Sequence, residues 1–186
     1  EQFFTQKKEK EENKILFLGR ISKKKKIETL IEALPLIKNK EIKLEIVGPK
    51  EEGYSQYIES LIRKYNLSSR VKILDPIYDL TSKIKKLDSA KLYILPSRVE
   101  GMPQSLIEAM ARGKIVIGSN SIAIRDLIKE KENGYLFEFN NPKDLARVVD
   151  LALSQNSKTI KKNAEKSVQE FNWEKVIGKI DDVIFS

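Results

Sequence analysis

Two carboxylates with seven residues between them, Glu100 and Glu108, stand in the stretch SRVEGMPQSLIEAMARG (97–113), directly after the apolar run KLYILP (91–96). Pro96 and Ser97 end the extended run, Gly101 lets the chain turn, and Pro103 suits the first turn of a following helix. A helix starting there aims unpaired amides and its positive dipole end at a crevice, which suits a phosphate, while a carboxylate beside it suits sugar hydroxyls. Glu100 then faces the ligand. Glu108, between Ile107 and Ala109, is open to two readings: a second ligand carboxylate, or a surface ion pair with Arg112 one turn on, in a helix closed by Gly113. An earlier stretch, GRISKKKKIETL (19–30), sets Arg20 and Lys23–Lys26 between a turn at Gly19 and a helix start. It is equally a phosphate-binding loop or a solvated lysine-rich one. The chain contains no histidine and no cysteine. Chemistry must therefore run on carboxylates, lysines, arginines, hydroxyls or backbone groups, and disulfides and thiolate metal sites are excluded. Neither a P-loop nor a G-x-G-x-x-G fingerprint is present.

These loops are positioned by an alternation of strands and helices. Short apolar runs at 15–19, 43–48, 71–74, 91–95, 114–119 and 134–139 read as strands. Between them lie amphipathic segments, the first of which, IETLIEALPLIK (27–38), puts Ile27, Leu30, Ile31 and Leu34 on one face. Nearly continuous apolar strands imply burial on both faces, and the alternation implies right-handed crossovers: an α/β, Rossmann-like, doubly wound parallel sheet. In such sheets ligands sit outside the carboxyl ends of the strands at the switch point, so the loops after Leu18, Val47, Leu74, Leu95 and Ile117 are the ones to inspect. Residues 1–14 read as a polar linker or tail and 15–186 as one domain, which ends in helices from about 142, where Asn141 before Pro142 is a helix start. The last of these, in FNWEKVIGKIDDVIF (171–185), is rich in apolar residues for a chain terminus.

At 186 residues and 40% hydrophobic content the chain can bury a core of its own. It has no apolar run of about 18 residues and no signal-like segment, so a soluble, cytoplasmic domain is expected. The balance of 35 Lys+Arg against 27 Asp+Glu, a net +8, favours anionic partners. The lysines are spread along the chain and interleaved with Glu, Ile and Asn, which argues for a solvated surface rather than a nucleic-acid footprint.

The stretch PSRVEGMPQSLIEAMARGKIVIGSN (96–120) resembles the donor-binding signature of the retaining glycosyltransferases called family 4 or group 1, whose GT-B architecture faces two Rossmann-like domains across a cleft. Glu100 and Glu108 match that family's E-x7-E element. The resemblance runs from ILFLGRISKKKK (15–26) through ENGYLFEFNNPKDLARVVDLAL (132–153) to FNWEKV (171–176), in the family's order. It implies the donor-binding C-terminal half of a GT-B enzyme that transfers sugar from a nucleotide diphosphate sugar, UDP- or GDP-linked, with retention. By the same resemblance Arg20 and Lys25 hold the diphosphate, Glu100 the sugar hydroxyls and the transition state's positive charge, and Glu108 the ribose hydroxyls. Gly101, Met102, Gln104 and Ser105 approach sugar or diphosphate through their backbone, Ser105 and Leu106 complete the wall, and the base lies near Pro76 and Ile77. No cofactor is expected and, with no metal cluster visible in the sequence, no metal; these transferases are held to use front-face attack in which the donor phosphate takes the acceptor's proton.

The chain departs from the family pattern at several points. Lys26 stands where glycine usually follows the phosphate lysine, which leaves the register within Lys23–Lys26 open. LDPI replaces the commoner Leu-Gly, Ile115 stands where proline is frequent, and SNSIAIRDLI (119–128) has Ile122 and Ala123 for a Gly-Gly and Asp126 for a glutamate. The N-terminal, acceptor-binding domain is expected as a missing partner, so this chain alone should bind donor but not transfer sugar, with peripheral contact at the inner membrane face in the full-length enzyme. The alternatives are a binding module that has kept the fold without the chemistry, or a basic protein binding polyanions or membrane surfaces.

Overall fold

The computed structural model describes residues 10–171. Six strands, β1 (Lys14–Leu18), β2 (Lys43–Val47), β3 (Val71–Leu74), β4 (Leu92–Leu95), β5 (Ile115–Ser119) and β6 (Tyr135–Phe137), lie within a residue or two of the six apolar runs. All pair in parallel, in the order β3-β2-β1-β4-β5-β6. The chain thus starts in the middle of the sheet, builds outward to one edge, and returns to β1 to build the other half: a doubly wound sheet whose winding reverses between β1 and β4. Strands β1, β4 and β5 are buried at every position, as their lack of polar alternation requires.

Seven helices cover the two faces among the described residues: α1 (Glu28–Ala33), α2 (Glu52–Lys64), α3 (Leu80–Ser89), α4 (Gln104–Ala111), α5 (Ile122–Leu127), α6 (Pro142–Ser154) and α7 (Lys158–Ser167). Ile27, Leu30, Ile31 and Leu34 are all core residues. The helix they belong to stops at Ala33, short of its expected extent, because Pro35 has no amide to donate and restricts Leu34 before it. Helix α6 begins where expected, with Pro142 in its first turn and the Asn141 side chain accepting from the Asp144 amide at 3.0 Å. The helix expected from Trp173 onward lies outside the described residues.

Helix α4 closes in a Schellman motif. Gly113 takes the left-handed conformation (φ +61°), its amide donates to Met110 O at 2.8 Å, and the Lys114 amide donates to Ala109 O at 3.0 Å. The turn delivers Lys114 to the amino end of β5, on the opposite side of the sheet from the strand exits. There Arg112 is wholly buried in a two-pronged contact with Asp88, Nε to Oδ1 at 2.8 Å and Nη2 to Oδ2 at 2.7 Å. This corrects one of the two readings of Glu108, since Arg112 turns inward to Asp88 and does not pair with Glu108 on the surface. Lys114 is buried beside it and donates to the carbonyls of Asp88 and Ala90 and to Glu11, which also accepts from Lys161 of α7. Residue 11 is in this way tied to the far end of the domain.

Candidate functional site

The exits of β1 and β4, neighbours at the reversal, face each other, with the exits of β2 and β3 beside them. Together they enclose a cleft of about 340 Å³. Its floor is backbone at the ends of β1 and β2. A Cβ built on Gly48 would lie 2.0 Å from the Gly19 carbonyl oxygen, so only glycine fits where the two loops cross.

The loop after β1 carries Lys23–Lys25 as a single 3-10 turn and then Lys26 in the left-handed region (φ +53°, ψ +41°), the backbone state glycine adopts at no cost. Lys25 thus directly precedes the one left-handed residue of the lysine run. Of the four lysines, Lys25 alone lines the cleft. Its Nζ is 2.6 Å from Glu100 Oε1, which comes from the loop after β4. Lys26 turns away to Glu28 at 3.2 Å, and Glu28 also accepts from the Tyr54 hydroxyl of α2. That hydroxyl in turn accepts from the Ile27 amide at 2.8 Å, so α2 fixes the start of α1 and with it the end of the lysine turn.

Across the cleft, Glu108 on α4 accepts from Lys83 Nζ of α3 at 3.0 Å. Two lysine–carboxylate pairs, Lys25–Glu100 and Lys83–Glu108, thus stand in one cavity. Between them α4 starts at Gln104, preceded by Pro103, which offers no capping side chain; the Gln104 amide donates to Met102 O at 2.9 Å and the Leu106 amide to Pro103 O at 3.0 Å, so among the described residues the Ser105 amide is the one of that turn left for a ligand. Ser105 in that turn is held from beneath by the buried Tyr93, whose hydroxyl donates to Ser105 Oγ at 2.7 Å. Burial pushes the Tyr93 phenol well above its ordinary pKa, against the Ser105 hydrogen bond, so at neutral pH it stays a hydrogen-bond donor.

The cleft brings together Lys25, Pro76, Ile77, Glu100, Met102, Gln104, Ser105 and Glu108. Arg20 is exposed and lines an adjoining hollow that shares Lys25 and Glu100 with the cleft. Two expectations need correction. The Leu106 side chain is fully buried in the core and forms no wall of the cleft. Gly101 has no left-handed φ and open space where a side chain would stand, so the turn there does not depend on glycine. Gly48, Pro49, Tyr78 and Lys83 also line the cleft and were not picked out from the sequence. Tyr78 carried a signal, being an aromatic in the loop after an apolar strand; Lys83 looked like any solvated helix lysine. Among the described residues no three acidic side chains gather so as to hold a metal ion.

The family of group 1 glycosyl transferases matches residues 1–167. A glycosyltransferase of Methanocaldococcus jannaschii, itself uncharacterised, is 33% identical over 171 residues, 89% of this chain and 43% of its own length. Among solved structures, HepE of Anabaena in complex with UDP and glucose superposes with a TM-score of 0.84 at 22% identity, over 92% of this chain and 47% of that one. Sucrose-phosphate synthase of Thermosynechococcus elongatus superposes with a TM-score of 0.83 at 29% identity, over 92% and 45%. The chain spans less than half the length of curated relatives it matches.

Proposed function

The chain belongs to the group 1 glycosyl transferases, and from that premise we propose that it is the donor-binding half of a retaining enzyme that moves a sugar from a nucleotide diphosphate sugar to an acceptor. One observation carries this reading: two lysine–carboxylate pairs in one cleft, with an uncapped helix start between them. Arg20, Lys25 and the Ser105 amide at the start of α4 neutralise the departing diphosphate. Glu100 holds the sugar hydroxyls and faces the positive charge that grows at the anomeric carbon. Glu108 takes the two ribose hydroxyls, and the base lies against Pro76, Ile77 and Tyr78. UDP is the nucleotide we favour, in keeping with the bound UDP of HepE.

Retention need not involve a protein nucleophile. As the carbon–oxygen bond to the diphosphate breaks, its electron pair stays on the phosphate oxygen. The acceptor hydroxyl bonds to the anomeric carbon from the same face and passes its proton to that oxygen. The protein's part is then to hold charge and exclude water, and neither a histidine nor a metal ion is required. A second domain that closes over this cleft would complete the acceptor site, so the present chain binds donor without turning it over.

Calorimetric titration of the chain with UDP, GDP and ADP tests the reading. Saturable binding of one nucleotide, weakened about tenfold or more in Glu108→Ala, is expected from the loss of charge-assisted hydrogen bonds to the ribose. Equal affinity in the variant would remove Glu108 from the ribose site, and no binding at millimolar nucleotide would overturn the donor-site reading of this chain.

A further inference from the structure

The hollow beside the cleft, of about 760 Å³, is walled by six cations, Arg20, Lys23–Lys26 and Arg98, and by two carboxylates, Glu51 and Glu100. Lys25 is engaged by Glu100 and Lys26 by Glu28. Among the described residues Arg20, Lys23, Lys24 and Arg98 have no ion-pair partner. Nor can the loops that carry them drift apart freely. The Arg98 amide donates to Lys24 O at 3.1 Å, joining the loop after β4 to the lysine turn, while Ile21 N donates to Pro49 O at 2.8 Å and Glu51 N to Ile21 O at 3.0 Å, joining that turn to the exit of β2. Like charges gathered on tied loops repel one another in the empty protein, and a multivalent anion relieves that repulsion.

We propose that Lys23, Lys24 and Arg98 bind a phosphate group carried by the acceptor. The proposal rests on the donor reading above. That reading uses Arg20 and Lys25 for the donor diphosphate, Lys26 is paired with Glu28, and Lys23, Lys24 and Arg98 are left without a role. Glu100 lies on both cavities. With the donor sugar at Glu100, an anion in the hollow sits next to that sugar, where the molecule receiving it must approach. Val99, 67% exposed on the hollow's wall, adds apolar surface beside the cations, as a phosphate on an organic or lipid body would use. A soluble phosphate ester and a lipid headgroup offer the same chemistry here.

The test uses the whole chain saturated with UDP. Glycerol 3-phosphate is titrated calorimetrically, and binding to phosphatidylglycerol vesicles is compared with binding to phosphatidylcholine vesicles by sedimentation. The variant is Lys23→Gln/Lys24→Gln/Arg98→Gln. Its charge-matched control is Lys72→Gln/Lys85→Gln/Lys143→Gln, three exposed lysines outside the hollow. The wild type should bind one of the two phosphate probes. That affinity should fall about tenfold or more in the hollow variant and less than about threefold in the control, with UDP affinity held within about threefold in both. Binding of glycerol 3-phosphate assigns a soluble acceptor, and binding of the anionic vesicles alone assigns a lipid-borne one. Equal losses in the two variants, no loss in either, or no phosphate binding at all would overturn the proposal. Failure of UDP to bind the wild type would instead remove the donor reading, and the phosphate arms repeated without UDP would still decide whether the hollow is an anion site.

Discussion

Lys25 and Glu100, 75 positions apart in the chain, meet at 2.6 Å where the exits of β1 and β4 face each other, and Glu100 occupies the ammonium that the proposed donor diphosphate must use. A diphosphate entering the cleft competes with this carboxylate. Glu100→Gln should therefore tighten UDP binding by roughly fivefold, about 1 kcal/mol for a partly screened pair, while Lys25→Gln should weaken it about tenfold or more. Calorimetry decides, and weaker UDP binding in Glu100→Gln would show that the pair does not compete with the phosphate.

Glu108 offers a double-mutant comparison that separates ribose recognition from general charge. If its carboxylate takes the ribose hydroxyls, 2′-deoxy-UDP should bind about tenfold more weakly than UDP to the wild type, and the two should bind alike to Glu108→Ala. A deoxy penalty that survives the substitution would place ribose recognition on another group.

The buried Asp88–Arg112 contact should be costly to break from one side. Asp88→Ala takes from a buried guanidinium the carboxylate that accepts from both Nε and Nη2 and should lower stability to urea by about 3 kcal/mol, whereas the joint replacement Asp88→Leu/Arg112→Met should recover much of that loss. Equal losses in the single and double variants would show that the charges are not what makes the site sensitive.

Burial alone would raise the pKa of Glu11, but hydrogen bonds from Lys161 and Lys114 outweigh it and hold the carboxyl below its ordinary value in the folded protein. The unfolded chain then takes up the proton first, so this contribution to stability is present above the ordinary carboxylate pKa and is lost as pH falls through the lowered folded value. Urea midpoints measured from neutral pH downward should fall less steeply below about pH 4.5 in Glu11→Gln than in the wild type. Parallel pH profiles would rule out the linkage.

The Ser97 hydroxyl is buried with no hydrogen-bond partner among the described residues, although the Ser97 carbonyl accepts from Ser119 Oγ at 2.5 Å. An unpaired buried hydroxyl costs about 1–3 kcal/mol of desolvation, so Ser97→Ala should leave thermal stability unchanged or raise it. A clear drop in melting temperature would mean that the hydroxyl has a partner in solution.

The sheet was legible because its strands are nearly unbroken apolar runs, a pattern set by burial on both faces and readable without neighbours. Local chemistry was legible too, as in the Asn141 cap and the Gly113 turn. What distance along the chain hides was not. Spacing on α4 offered Arg112 to Glu108, but spacing cannot tell that Arg112 faces Asp88 of α3, nor that Lys83 of the same helix reaches Glu108 from across the cleft. Leu106 shows the same limit, since its neighbour Ser105 lines the cleft while Leu106 points into the core. Lys26 shows a further limit, since it holds the left-handed conformation that glycine takes more cheaply and a run of four lysines does not disclose which of them turns.

The crossing of Gly48 over the Gly19 carbonyl also constrains how the site can diverge. Every side chain at position 48 meets that oxygen, so this position cannot be redecorated without displacing the crossing where β1 and β2 end. New preferences arise more readily at the rim, where Tyr78 and Met102 are widely exposed and can be exchanged at little cost to the fold. The molecule is in this sense a fixed socket with a replaceable collar, and relatives with different substrates should differ at the collar first.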